Sequence, residues 1–207
     1  MKNLKETYTT EIHKGVFSII FMMVVLNLQG QDLAYVEKSK ADEFTENIYA
    51  KEIKEIEVDR FHFLLKTADL KEKEGDFKGA VKDLNFYLDR KGQHYEVIDQ
   101  RGVLYTKMKR YNKALNDFKK VIQLNPSFAE VYNHRGILNF SIGNYQLALV
   151  DYSRAVSLNN DYAKAYYNRA LVKLVMGDED GAKEDLIMAK KLNFDKADEI
   201  IKEYIKK

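Results

Sequence analysis

The stretch VYNHRGILNFSIGNYQLALVDYSRAVSL, residues 131–158, decides the fold. Its Ala148 is one of four alanines spaced 34 residues apart, with Ala80, Ala114 and Ala182. Three residues after each stands an aspartate: Asp83, Asp117, Asp151 and Asp185. Four residues after each stands a large apolar or aromatic residue: Leu84, Phe118, Tyr152 and Leu186. Twelve residues before each the chain is small, at Ala68, Gly102, Gly136 and Ala170. The phase holds without gap or insertion. A fixed period of this length marks one supersecondary unit stacked on copies of itself.

Written as units, the repeats are 61–94, 95–128, 129–162 and 163–196. Each reads as two helices. In the third unit, Ala129–Ile142 is the first helix, Gly143-Asn144-Tyr145 the turn and Gln146–Leu158 the second. The matching turns are Gly75-Asp76-Phe77, Lys109-Arg110-Tyr111 and Gly177-Asp178-Glu179. Glycine suits them, because a helix stop often needs φ > 0. Pro126 is the single proline, in an inter-unit turn where it breaks no helical hydrogen bond. The small residues predict that the two helix backbones of a hairpin approach closely. The residues around them (Ile98, Tyr132, Tyr166; Phe118, Tyr152) fill the space between neighbouring hairpins.

The segment Tyr132-x-x-Arg135-Gly136, then Gly143-x-Tyr145-x-x-Ala148-x-x-x-Tyr152-x-x-Ala155, resembles a tetratricopeptide repeat, a 34-residue helix–turn–helix. Units two and three match best. Unit one departs at Thr67 and Lys71, and Gly92 replaces the final Pro; unit four has Glu179 for the turn aromatic. Departures at both ends suit capping units. The resemblance implies an all-α, right-handed α-solenoid of four repeats. It implies an architecture and not a chemistry.

Arg101, Arg135 and Arg169 stand where the family pattern has Leu, and they travel with Asp117, Asp151 and Asp185. One reading is a ladder of structural ion pairs, within a unit or to the preceding one, exposed and setting register between units. The other is a cationic row for an anionic ligand, which the aspartates would neutralise. Beyond unit four, residues 197–207 continue in phase, with Ile200, Ile201, Tyr204 and Ile205 on one helical face. This predicts a helix covering the last apolar face.

The front of the chain is different. Residues 1–15 carry Lys2, Lys5 and Lys14 against Glu6 and Glu11, and Val16–Leu26 is apolar except for Ser18. With the polar exit that follows, residues 1–31 read as a secretory signal peptide cut near 30–32. Leu28, three residues before a cut at Gly30, departs from the small residue such sites prefer. The alternative is an uncleaved anchor over 16–28. Eleven helical residues span on the order of 16 Å against a bilayer core of about 30 Å, which favours the signal. The chain has no cysteine, so lipid attachment through an N-terminal Cys is excluded. Residues 32–60 hold nine acidic and five basic residues, with Phe44, Ile48, Tyr49, Ile53 and Ile56 at helical spacing. They read as a charged linker, as one extra helix, or as a segment that fills a groove.

The remaining 61–207 carries 26 basic and 21 acidic residues, intermixed and without a basic block. No nucleic-acid surface is expected. His13, His62, His94 and His134 are scattered, and no HExxH, phosphate loop or metal-ligand spacing occurs. Neither an enzyme nor a cofactor is expected.

The resemblance implies that first helices line a concave surface where partners lie. Its lining here would be Glu96, Asp99, Val103 and Thr106; Glu130, Asn133, Ile137 and Phe140; Lys164, Tyr167, Leu171, Leu174 and Val175. The row Val103–Ile137–Leu171 is either packing between first helices or an apolar floor for a peptide or helix. The family's carboxylate clamp is not supported, because Asp99, Val103 and His134 occupy its positions. The expectation is an exported scaffold binding a protein or peptide, in the periplasm or secreted, touching membrane only if the N-terminal segment stays uncleaved. The rival is a sensory module for a small molecule or glycan, with Tyr167 and Phe140 as stacking platforms.

Overall fold

The computed structural model of the 207-residue chain describes residues 61–202 together with Asn47 and Lys51. The expected signal or anchor, the stretch 32–60 apart from those two positions, and the last five residues of the capping segment lie outside the described residues. The helices below all belong to the part that follows Glu57.

The architecture is all-α. Residues 61–73 form α1. It is followed by α2 (Phe77–Lys91), α3 (Tyr95–Lys107), α4 (Tyr111–Leu124), α5 (Ala129–Ser141), α6 (Tyr145–Leu158), α7 (Ala163–Val175), α8 (Glu179–Lys191) and α9 (Lys196–Ile200). The first helices α3, α5 and α7 begin 34 residues apart, as do the second helices α4, α6 and α8. The helices of the pairs α3–α4, α5–α6 and α7–α8 pack most closely on each other, and the second helices α2, α4 and α6 also pack on the first helix of the following unit.

The turns explain the punctuation. Gly75, Lys109, Gly143 and Gly177 occupy one place in the period and all take positive φ, from 57° to 83°. The residue after each donates its N–H to a carbonyl five residues back, as in Arg110 to Tyr105 at 2.8 Å and Asn144 to Asn139 at 2.8 Å. That residue is also the N-cap of the second helix. Asp76 and Asp178 complete the cap by accepting from the Gly79 and Gly181 N–H groups. Between units the chain turns on asparagine. Asn125 and Asn159 accept through Oδ1 from the N–H two residues on.

The small residues have a different cause from the expected backbone approach. A Cβ on Gly102 would lie 2.6 Å from Phe118 Cε1, and one on Gly136 2.7 Å from Tyr152 Cε1. The glycines make room for a ring on the second helix of their own unit. Units one and four carry Ala68 with Leu84 and Ala170 with Leu186 in the same places, all fully buried. Small against aromatic and alanine against leucine are two fillings of one slot.

The ion pairs also depart from expectation. Arg101, Arg135 and Arg169 each grip the aspartate of their own hairpin with two nitrogens, Arg169 at 2.8 and 2.6 Å from Asp185. The aspartates are buried rather than exposed. Asp117 and Asp185 hold the Arg101 and Arg169 guanidiniums above their ordinary pKa. These pairs therefore clamp α3 to α4, α5 to α6 and α7 to α8. A weaker link reaches the preceding unit, from Arg101 to Asn85 and from Arg169 to Ser153. Unit one lacks the arginine, and Lys71 and Thr67 together hold Asp83.

Register between units comes from polar pairs 35 residues apart. Glu72 pairs with Lys107, Asp99 with His134, and Asn133 accepts from Asn168. At the far end Ala197, Ile200, Ile201 and Phe194 cover Ala170, Ala182, Leu186 and Ala189. The C-terminal segment closes the core there.

Candidate functional site on the first-helix face

The three first helices α3, α5 and α7 present equivalent positions in rows. The row Glu96–Glu130–Lys164 lies in their first turns. Glu96 and Lys164 are exposed and Glu130 is half-buried. Acidic residues there complement the positive end of the helix dipole, whereas Lys164 opposes it. The next row is Asp99–Asn133–Tyr167. Asp99 is 5% exposed and Asn133 fully buried, so both sit between helices rather than on an open floor. Their bonds to His134 and Asn168 serve the inter-unit ladder. Tyr167 is half-buried.

One turn further, Val103, Ile137 and Leu171 are all half-buried. Val103 packs against the main core, and Ile137 against the cluster built on Ala148, Tyr152 and Val172. Thr106 and Phe140 follow. Thr106 bonds back to the Gly102 carbonyl within its own helix. Leu174 is half-buried, and Val175 is 53% exposed. The expected lining residues thus divide into a polar, charged start and an apolar end of the first helices.

Phe140 and Tyr167 do not form a facing pair. Phe140 lies tilted against Tyr145 at 5.5 Å and Tyr167 against Phe194 at 5.0 Å, each pair within its own unit. The two platforms expected of a small-molecule pocket are therefore occupied by other rings.

The electrostatics of the polar start were not legible in the sequence. The Tyr162 phenol is pushed up to about 12, first by burial and then by the Glu130 and Asp99 carboxylates. The Asn133 amide acts the other way, although its buried Nδ2 makes no hydrogen bond. Asp99 Oδ1 is likewise buried and unpartnered. Tyr95 is raised chiefly by Glu96 beside it, with a smaller contribution from Glu130. Tyr162, the residue before α7, thus converges with side chains of α3 and α5. Nothing in the sequence singled it out, because it belongs to an inter-unit turn. Among the described residues no group of three His, Cys, Asp or Glu could hold a metal ion.

Two family models match the chain, tetratricopeptide repeat over residues 100–128 and TPR repeat over residues 138–177. No curated protein matches in sequence. A crystal structure of MamA is 33% identical, with a TM-score of 0.53, covering 60% of this chain and 73% of that one. A thermophilic TPR protein of Thermus thermophilus is 20% identical with a TM-score of 0.59, covering 64% and 74%. The first TPR of Spaghetti (RPAP3), bound to the HSP90 peptide SRMEEVD, is 20% identical with a TM-score of 0.52, covering 56% and 93%.

Proposed function

The chain belongs to the tetratricopeptide repeat family, and from that premise we propose that it is an exported scaffold holding a protein or peptide on the face of α3, α5 and α7. The observation that carries this reading is where the units differ. Buried packing positions repeat in every unit: Ala80, Ala114, Ala148 and Ala182, each with its aspartate. The first-turn row of the first helices changes character instead, from Glu96 and Glu130 to Lys164. Packing needs the same residue in each unit, whereas recognition needs different ones. The half-buried row Val103, Ile137 and Leu171 supplies apolar contact beside these groups. The peptide held by the Spaghetti repeat supports a peptide as the class of partner. Export rests on the lysines before the apolar run Val16–Leu26.

The test is a peptide array probed with the full mature chain. Peptides bound by the wild type are expected to be lost on Glu96→Lys or Lys164→Glu, both at exposed positions, while the melting temperature stays near that of the wild type. Binding indifferent to both changes would sink the first-helix face as the site. Mass spectrometry of the secreted chain should find an N-terminus near residues 30–32. An intact Met1 in a membrane fraction would replace the signal with an anchor.

A further inference from the structure

Two positions of the first helix are core in every unit after the first. One holds Val97, Val131 or Ala165, the other Leu104, Leu138 or Val172, and none of these is more than 6% exposed. The second helices α2, α4 and α6 pack on the helices that carry them. On α1 the same two positions are Phe63 and Leu70, 64% and 56% exposed. Lys66 stands between them and is exposed as well. The three follow at i, i+3 and i+7, a single stripe of the helix. Two large apolar side chains thus lie open on the face by which each later unit stacks. A repeat array needs such an end face covered, as α9 covers the far end.

The sequence just before α1 has the pattern that this face lacks. Set back by one 34-residue period, α2 falls on residues 43–57, and the three residues that join it to α3 fall on 58–60. That join is long enough for a helix to lie antiparallel on α1, since the same length serves between α2 and α3. Within 43–57, Tyr49, Ile53 and Ile56 stand at i, i+4 and i+7. Asn47 and Lys51 are helical and exposed, and helical spacing puts both opposite that stripe. Glu46 and Glu52 border the stripe, opposite in charge to Lys66.

We propose that residues 43–57 dock along α1 over Phe63 and Leu70, as the second helix of a half unit that begins the array. The chain then closes its own stack at both ends. A segment held there leaves the face of α3, α5 and α7 open instead of filling it. The docking stands whether or not that face binds a peptide.

The chain has no cysteine, so pairs introduced into the full mature chain report on this contact alone. Tyr49→Cys with Leu70→Cys is expected to form a disulfide within one chain under mild oxidation. Lys51→Cys with Leu70→Cys, from the opposite side of the segment, should do so at least about tenfold more slowly. Leu70→Asp, which a solvent-facing position tolerates, should lower the melting temperature by about 4 °C or more. Equal rates for the two cysteine pairs would make the segment a loose tether and overturn the docking. A disulfide between two chains would give the face to a second copy and overturn it equally. So would a melting temperature indifferent to Leu70→Asp.

Discussion

A methyl group on Gly136 would fall within 2.7 Å of the Tyr152 ring, and one on Gly102 within 2.6 Å of Phe118. Ring atoms held in a core have little room to retreat, and overpacking of this kind costs about 1–3 kcal/mol. Gly136→Ala should lower the urea midpoint accordingly. Tyr152→Leu in the same chain recreates the alanine–leucine filling of units one and four. The double-mutant cycle is then expected to give a coupling of at least about 1 kcal/mol. Strictly additive losses would show that the slot is not shared. The sequence displayed every member of this pairing, because small and large residues recur 16 apart. It did not display the reason, since the period alone cannot say whether a glycine admits a backbone or a ring. Arg135 and Asp151 show the same limit. Their co-occurrence was plain, but only packing buries the aspartate and turns an exposed pair into a clamp inside one hairpin.

Helices end for reasons that were largely legible. Gly75, Gly143 and Gly177 mark the left-handed stop, and Asp76 and Asp178 mark the cap that follows. Lys109 holds the same place with φ of 57° without being glycine. An L-residue in that region costs roughly 1–2 kcal/mol. Lys109→Gly should therefore raise stability by about 1 kcal/mol, and Gly143→Ala should lower it by a similar amount. Thermal or urea unfolding of the two variants checks the sign. A Lys109→Gly variant no more stable than the wild type would mean that its unfolded-state entropy cancels the relief of strain. The C-terminal element follows from its pattern too. Ala197 and Ile200 present the apolar face that closes the cluster around Leu186.

Across the molecule the units are joined by pairs 35 residues apart and by two tyrosines that resist ionisation. Burial pushes the Tyr152 phenol up, and Tyr162 is pushed up to about 12. An unfolded tyrosine releases its proton near pH 10, from about 10 upward. Above that pH the unfolded chain binds fewer protons than the folded one, so stability falls as pH rises toward the folded value. Below pH about 10 the two groups contribute no pH dependence. The melting temperature should decline from pH about 10 upward, and Tyr162→Phe should make the decline shallower. An unaltered slope in that variant would place the alkaline sensitivity elsewhere.

The 34-residue spacing of Ala80, Ala114, Ala148 and Ala182 determined by itself the repeat, the hairpin and the stacking, because an apolar face that no single hairpin can bury is written into every copy. Tertiary structure alone decided which polar atoms meet. Asp99 finds His134 and Asn133 finds Asn168 one residue out of phase with the period. Tyr162 joins the two acidic helices from a turn that pattern reading passes over. A repeat fixes what is the same in each unit. The contacts between units depend on how far each helix is turned against the next, and that angle is set by the packed side chains together.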